Sequence, residues 1–226
     1  MSEPYLKTVI PASWPNRLAL PPLQAFTTTA KTSFDQLRLP SAPHWLVQEH
    51  GIESICLDDW REGIVADAAW TDQPHQVIAI KTADCLPILL ASSTSPLVAG
   101  IHAGWRGLAQ GVIQHTLERL PVDNSALQAW IGPAISAPQY EVDALVFKAF
   151  TDLDPDLAVF FESHRADRWR ANLVGIAKHQ LQELGVAGIV SSGLCTASDP
   201  ERLFSYRRGL PKNQETARMA SLIWLE

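Results

Sequence analysis

A chain of 226 residues with 46% hydrophobic and 19% charged residues is long enough to bury one good-sized core. Its net charge of −6, without any run of Lys or Arg, argues against nucleic acid or an anionic membrane surface as the main partner. Its longest apolar runs fall far short of membrane-spanning length, so we expect a soluble globular protein that forms one domain over residues 1–226.

The first half of the chain reads mainly as strands. Residues 1–45 are rich in proline and contain short strand-like pieces such as LQAFTTT, which predict an N-terminal arm that lays an edge strand on the body. Runs rich in Val, Ile or Trp and bounded by Asp, Gly or Pro then predict six strands: HWLVQEH, IESICL, GIVADAAWT, QVIAIKTA, CLPILLAS and LVAGIHA.

Helical periodicity begins after Gly104, where apolar residues recur at steps of three and four and predict one amphipathic helix ending at Pro121. Beyond it we predict a strand in LQAWIGPAI, a helix in DALVFKAFTDL and a longer helix in WRANLVGIAKHQLQELGV with Gly185 as its C-cap. AGIVSSGLCT reads as a strand, RLFSYRR as a short extended piece, and NQETARMASLIWLE gives mixed signals. This order predicts an α+β fold, with a mixed β-sheet and helices packed on its faces.

The cysteines indicate a reducing compartment. Cys56, Cys85 and Cys195 are an odd number without a C-x-x-C pair, and the N-terminus has neither a signal-peptide nor a transit-peptide pattern. We therefore expect a cytoplasmic protein, as a monomer or weak homodimer, with Cys56 and Cys195 in structural roles.

Three residues of metal-ligand type stand near predicted strand ends: His50, Cys85 and His102. One thiolate and two imidazoles suit Zn²⁺ or copper, and three protein ligands leave a fourth position for water. Separations of 35 and 17 residues mean that only the fold can bring the three together. An inert buried thiol and a core histidine are the alternatives, although Gly100 and Gly104 leave the backbone beside His102 open to a ligand.

The same residues would also serve a different chemistry. Cys85 as nucleophile, His102 as its base and Asp84 or another carboxylate as the orienting group would make a thiol hydrolase. His50 would have a role as a ligand in a metal site, but it would have no evident role in a thiol hydrolase. Asp84 beside an apolar strand needs water, a metal-bound histidine or a hydrogen-bond donor as its partner.

Arginines supply candidate anion clamps. Arg106 stands near the predicted helix start, where it could bind a phosphate or carboxylate, or form only a surface ion pair. Arg207 and Arg208 could form a second clamp that binds an anionic part of the substrate, or they could simply lie on a solvent-exposed strand edge. The G-x-G-x-x-G, P-loop and G-x-S-x-G motifs are absent, which disfavours dinucleotide binding, P-loop phosphoryl transfer and α/β-hydrolase chemistry.

From about WLVQEHG to the C-terminus, the chain resembles the YfiH-like laccase-domain proteins. The segments that carry the resemblance are TADCLPILL, AGIHAGWRGLAQGVI, WIGPAISAPQYEV, RANLVGIAKHQLQELGV, SSGLCT, LFSYRR and ARMASLIWL. The resemblance implies a single α+β domain whose zinc or copper site is made by the histidine of Q-x-H-G, the cysteine of A-D-C and the histidine of H-A-G-W-R-G. Those positions are His50, Cys85 and His102 here.

The family is described in several ways, so the resemblance implies several activities. They are phosphorolysis of adenosine, inosine and methylthioadenosine, deamination of adenosine, copper-dependent phenol oxidation, and editing of peptidoglycan precursors. One open metal site suits phosphorolysis or editing, whereas a laccase ordinarily needs several coppers. Our first hypothesis is a zinc-dependent enzyme acting on purine nucleosides and phosphate, with Asp84 beside the metal or as proton acceptor and Arg106 on phosphate or ribose oxygens.

The chain departs from the family before the Q-x-H-G motif. The family has T-T-R and a longer segment there, whereas this chain has Thr29 in place of the arginine and reaches His50 after a short loop. Ala217 replaces a glycine in the C-terminal motif. We therefore expect metal binding to be kept, and substrate range or activity to differ because one anion clamp and part of the pocket wall are missing.

Overall fold

Two β-sheets packed face to face form the centre of the computed structural model, which describes residues 8–209 and 217–226. In chain order the strands are β1 (Val9–Pro11), β2 (Leu23–Thr28), β3 (His44–Trp45), β4 (Ser54–Cys56), β5 (Ala68–Thr71), β6 (Ile78–Thr82), β7 (Leu86–Ser92), β8 (Val98–Ala103), β9 (Leu127–Ile131), β10 (Glu141–Asp143), β11 (Phe161–Arg165), β12 (Arg168–Ala171), β13 (Gly188–Ser191) and β14 (Met219–Leu225). The helices are α1 (Trp105–Gln110), α2 (Val112–Arg119), α3 (Ala144–Thr151), α4 (Leu173–Glu183) and α5 (Tyr206–Gly209).

The strands are divided among three sheets. One has the order β1-β2-β14-β6-β3, the second β13-β9-β7-β8-β5-β4, and a small third sheet β10-β12-β11. Most neighbours are antiparallel, while β3–β6, β4–β5 and β9–β13 are parallel. The predicted α+β class with mixed pairing is therefore confirmed, and the strands form several sheets rather than one.

The two large sheets meet at Gly100 of β8. A Cβ on Gly100 would lie 2.9 Å from Ile78 Cγ2 and 3.0 Å from Ile80 Cγ1, both on β6 of the opposite sheet. The missing side chain therefore lets the two apolar faces interdigitate at the density of a protein interior. The space at Gly100, which we expected to admit a ligand, is taken by this packing.

The N-terminal arm contributes two strands to the five-stranded sheet. The edge strand is β1, whereas the segment LQAFTTT forms β2, which lies between β1 and the C-terminal strand β14. Phe26 of β2 and all seven residues of β14 are buried, as expected for strands inside a packed sheet. The edge strand that the arm adds is thus β1, and LQAFTTT forms an inner strand of the same sheet.

Helices α2 and α4 share an apolar core with the outer face of the six-stranded sheet. The single helix predicted from Gly104 to Pro121 is wrong, because Gly111 adopts φ 88° and ends α1 before α2 begins. The helix α4 starts only at Leu173, capped by the Asn172 side chain, because the preceding residues form β12. Gly185 follows its end with φ 83°, as predicted.

Two further observations concern single elements. The segment RLFSYRR, predicted as extended, contains the short helix α5 instead. Within the described ranges, none of the helices is both long and apolar enough to cross a membrane.

Candidate metal centre

The fold brings His50, Cys85 and His102 into one cluster. His50 lies in the loop before β4, Cys85 in the bend between β6 and β7, and His102 near the end of β8. One potential ligand atom from each residue lies within 4.8 Å of the others, with Cys85 Sγ 3.8 Å from His50 Nε2. The two imidazole rings are 4.8 Å apart between centroids and nearly perpendicular. Such a set matches the donors of a mononuclear zinc or copper centre.

Strand pairing and one glycine create the space for this cluster. Leu86 of β7 lies opposite Ala103 of β8, so Cys85 and Gly104 are neighbours at the ends of the two strands. A Cβ on Gly104 would lie 2.7 Å from His50 Cδ2 and 3.1 Å from Cys85 Sγ. Glycine is therefore needed at position 104 for the histidine and the thiol to approach each other.

Asp67, which the sequence analysis did not single out, lies beneath both histidines. Its Oδ1 is 2.6 Å from His102 Nδ1 and accepts the backbone N–H of His50 at 3.0 Å. Its Oδ2 accepts the N–H groups of Gly51 at 2.7 Å and Glu49 at 3.2 Å. Burial raises the pKa of Asp67, but the hydrogen bonds from His102 and Gly51 outweigh burial and lower it, so the carboxylate stays ionised. The sequence does carry one signal for Asp67, an aspartate inside the apolar segment GIVADAAWT. A buried carboxylate needs several hydrogen-bond donors around it, so its position predicts a polar cluster.

Cys85 and His102 influence each other's protonation. Burial alone raises the pKa of Cys85, but hydrogen bonds and charge from His102 and His50 bring that pKa down to about 6. Burial alone lowers the pKa of His102, while Asp67 and Cys85 raise it to about 9. At neutral pH the cysteine is therefore a thiolate, which is the form that binds metals and attacks electrophiles.

Among the described residues, the Asp84 carboxylate forms no hydrogen bond or ion pair with a histidine. Asp84 is buried, adopts φ 93°, and accepts hydrogen bonds from Thr196 Oγ1 at 2.5 Å and from the backbone N–H of Arg207 at 2.7 Å. The carboxylate expected beside a metal-bound histidine is thus Asp67 rather than Asp84. Asp84 instead connects the Cys85 bend to α5.

A cavity of about 700 Å³ opens beside the cluster. Arg106 lines it and stacks its guanidinium over the Trp105 ring at 4.7 Å. Within residues 8–209 and 217–226 Arg106 forms no ion pair, so the expected alternative of a surface pair is not seen. Arg207 lies over the Tyr140 ring at 4.9 Å and donates to the Glu141 carbonyl at 2.9 Å.

The wall of this cavity is cationic. Lys81 and Arg218, which sequence reasoning missed, line it together with Arg106 and Arg207. Asp84 is the one carboxylate among the described lining residues, and both of its oxygens already accept hydrogen bonds. A wall with this charge is suited to an anionic ligand.

Two positions that the sequence analysis discussed, Arg208 and Thr29, do not line the cavity. Arg208 is not among the residues that line the cavity, because its guanidinium donates to the carbonyls of Thr196, Ala197 and Leu203. The role expected for Arg208 in substrate binding is therefore replaced by a structural one. Thr29 is buried, donates to the Thr8 carbonyl at 2.8 Å and likewise does not line the cavity.

Fold and site together define an α+β protein with one candidate His/Cys/His metal centre at the floor of a cationic cavity. The family model described as "Multi-copper polyphenol oxidoreductase laccase" matches residues 24–226, and the chain belongs to this family.

Its relatives carry a different description. A protein of Xylella fastidiosa (strain Temecula1 / ATCC 700964) named "Purine nucleoside phosphorylase" is 40% identical over 197 residues, which are 84% of this chain and 74% of that protein. The "Purine nucleoside phosphorylase YfiH" of Escherichia coli (strain K12) is 38% identical over 196 residues, 86% of this chain and 79% of that protein. The crystal structure of Neisseria meningitidis protein NMB0706 superposes with a TM-score of 0.87 at 32% identity, covering 97% of this chain and 99% of that chain.

Proposed function

We propose that the chain is a zinc-dependent purine nucleoside phosphorylase that also deaminates adenosine. The observation that carries the proposal is that the His50/Cys85/His102 cluster and a cationic wall face the same cavity. A reaction between a neutral nucleoside and a phosphate dianion needs both a binding site for the anion and room for the purine. The phosphorylase names of the relatives support this proposal.

The residues present fit a zinc ion. Two imidazoles and a cysteine whose pKa is about 6 form a donor set for Zn²⁺ or copper, and Gly104 leaves the space between them clear of a side chain. A Zn²⁺ ion held by His50, Cys85 and His102 would supply a Lewis acid at the cavity floor. Its three protein ligands would leave one position open to substrate or water.

The reaction requires a phosphate oxygen to bond to C1′ of the ribose as the glycosidic bond breaks. The purine leaves with the bonding electron pair and gains the proton that the hydrogen phosphate loses as its oxygen bonds to C1′. We propose that Arg106 and Arg207 bind the phosphate, because both guanidiniums are held against aromatic rings at the cavity wall. Tyr206, which is 50% exposed at the cavity, offers a face on which the purine could stack. We propose that Asp84 positions Arg207 by accepting a hydrogen bond from its backbone N–H, and that Asp84 does not transfer a proton.

A copper-dependent phenol oxidase is the second candidate, because the matching family model carries that description and the donor set also suits copper. Four-electron reduction of oxygen ordinarily needs several coppers. Across the part of the chain that the structure describes, one group of three or more His, Cys, Asp or Glu residues is placed to hold a metal. A single donor set therefore favours the phosphorylase.

The test is to incubate zinc-loaded protein with adenosine, with and without phosphate, and to separate the products by chromatography. We expect adenine to form only with phosphate, and inosine to form in both incubations through deamination. A Cys85→Ser variant should lose both products together with its metal. Zinc-loaded protein that yields no purine base with phosphate would contradict phosphorolysis, and oxygen uptake by copper-loaded protein with phenols would favour the oxidase.

A further inference from the structure

We propose that Asp67 is the positioning residue of the candidate metal centre, and that its one carboxylate orients both imidazole ligands. Asp67 is 1% exposed and lies directly before β5, next to β8 in the sheet. The proposal rests on the metal centre put forward above but not on the reaction assigned to it.

On the His102 side, the carboxylate selects the ring nitrogen that faces the cluster. An ionised carboxylate can only accept a hydrogen bond, so Nδ1 of His102 carries the proton that points at Asp67 Oδ1, 2.6 Å away. Nε2 is then the ring nitrogen left to bind a metal, and it gives up its proton when the metal binds. The backbone fixes the same alignment, because the N–H of His102 donates to the Asp67 carbonyl at 2.7 Å.

On the His50 side, the carboxylate holds the loop that carries the ring. The N–H groups of residues 49, 50 and 51 all point at the two carboxylate oxygens, at 3.2, 3.0 and 2.7 Å. His50 itself has φ 62°, a left-handed conformation that is uncommon for a residue with a side chain. Successive N–H groups around an anion form a nest that favours such a conformation. Asp67 therefore maintains the backbone that directs His50 toward Cys85.

An amide at position 67 cannot perform both tasks. Asp67→Asn keeps the shape of the side chain but replaces one acceptor oxygen by an NH₂ donor. In the Oδ1 position that donor faces His102 Nδ1 and the His50 N–H, and in the Oδ2 position it faces the N–H groups of Glu49 and Gly51. Either the His102 ring or the loop that carries His50 therefore loses its acceptor. Removing the hydrogen-bond partners of metal ligands lowers metal affinity by about 10- to 100-fold.

The test is zinc affinity measured by chelator competition for the wild type and Asp67→Asn. We expect binding about 10- to 100-fold weaker in the variant. Asp59→Asn makes the same charge change at an exposed position and should bind zinc like the wild type. Gly111→Ala, which strains a turn away from the cluster, controls for reduced stability alone. Equal zinc affinity in Asp67→Asn and the wild type would overturn the proposal.

A second measurement uses the wild type and does not depend on the variant folding. Nitrogen NMR of cadmium-loaded protein labelled at histidine should show His102 protonated at Nδ1 and coupled to the metal through Nε2. Coupling through Nδ1 would overturn the positioning role even if the metal centre itself is correct. Wild-type protein that binds no zinc or cadmium would instead overturn the metal centre.

Discussion

At the scale of single residues, Gly104 provides the sharpest test of the cluster. An alanine Cβ there would lie 2.7 Å from His50 Cδ2, closer than real contacts allow, so we expect Gly104→Ala to displace His50 and Cys85. Zinc affinity measured by chelator competition should fall by about tenfold or more, as when ligand geometry is disturbed. The matched control is Gly100→Ala, whose Cβ would press on Ile78 and Ile80 instead. That variant should lose about 1–3 kcal/mol of stability to overpacking and keep its metal. Unchanged zinc affinity in Gly104→Ala would contradict the cluster geometry.

Cys85 and Cys56 should differ in the pH dependence of their reactivity. A thiolate exists above its pKa, so alkylation of Cys85 in metal-free protein should rise through pH about 6 and level off before pH 8. Burial raises the pKa of Cys56, so its modification should still be increasing above pH 9. Mass spectrometry of peptides from iodoacetamide-treated protein resolves the two sites. A Cys85 rate that still increases above pH 9 would show that the histidines do not stabilise its thiolate.

Residue types alone led to His50, Cys85 and His102 but not to Asp67. Histidine and cysteine are typical ligands, so their presence near strand ends is informative even before a fold is known. The position of Asp67 depends on the pairing of β5 with β8, which brings it beside His102, 35 residues away in sequence. Arg207 and Arg208 are adjacent and alike in sequence, yet only Arg207 lines the cavity. Their different roles follow from tertiary hydrogen bonds that a local pattern does not encode.

At the scale of elements, the break between α1 and α2 depends on Gly111. Its φ of 88° disfavours any residue with a Cβ, while the space around it is open. We therefore expect Gly111→Ala to lower the free energy of unfolding by about 1–2 kcal/mol, the cost of a left-handed residue, without affecting zinc binding. Urea denaturation measures this change. Gly111→Asn should cost less, because Asn tolerates that conformation better, and equal losses for both variants would contradict the backbone explanation.

Elements with a clear apolar pattern were predicted well, and elements held by distant contacts were not. Strands β6 to β8 and helix α4 lie within the predicted segments, because burial gives these strands nearly continuous apolar runs and gives α4 a helical period. The segment RLFSYRR is helical at Tyr206–Gly209, where the Arg207 N–H donates to Asp84, more than a hundred residues away in sequence. Gly111 within LAQGVIQ was a local signal for the helix break, but the surrounding period outweighed it in the prediction.

At the scale of the whole molecule, charge is unevenly distributed. The chain has a net charge of −6, yet the described residues that line the cavity beside the cluster include four cationic side chains: Lys81, Arg106, Arg207 and Arg218. A cleft lined by one sign of charge concentrates counter-ions, so a negative protein can still attract phosphate to this position.

Arginine variants test this distribution of charge. Arg106→Gln removes a cation at the cavity wall, and we expect the KM for phosphate to rise about tenfold, since charge-assisted hydrogen bonds contribute about 1.5–3 kcal/mol. The matched control is Arg208→Gln, which removes an arginine bound to backbone carbonyls and should reduce stability while leaving that KM unchanged. Steady-state kinetics at varied phosphate concentration provides the comparison. A larger effect from Arg208→Gln would contradict the assignment of the phosphate site.

We propose that one metal ion is held by His50, Cys85 and His102 beside this cavity. X-ray absorption spectroscopy of zinc-loaded protein, combined with metal analysis, is the sharpest test of this site. We predict one zinc per chain with one sulfur ligand at about 2.3 Å and two imidazole nitrogens at about 2.0–2.1 Å. A spectrum without sulfur, or several tightly bound metal ions per chain, would contradict it.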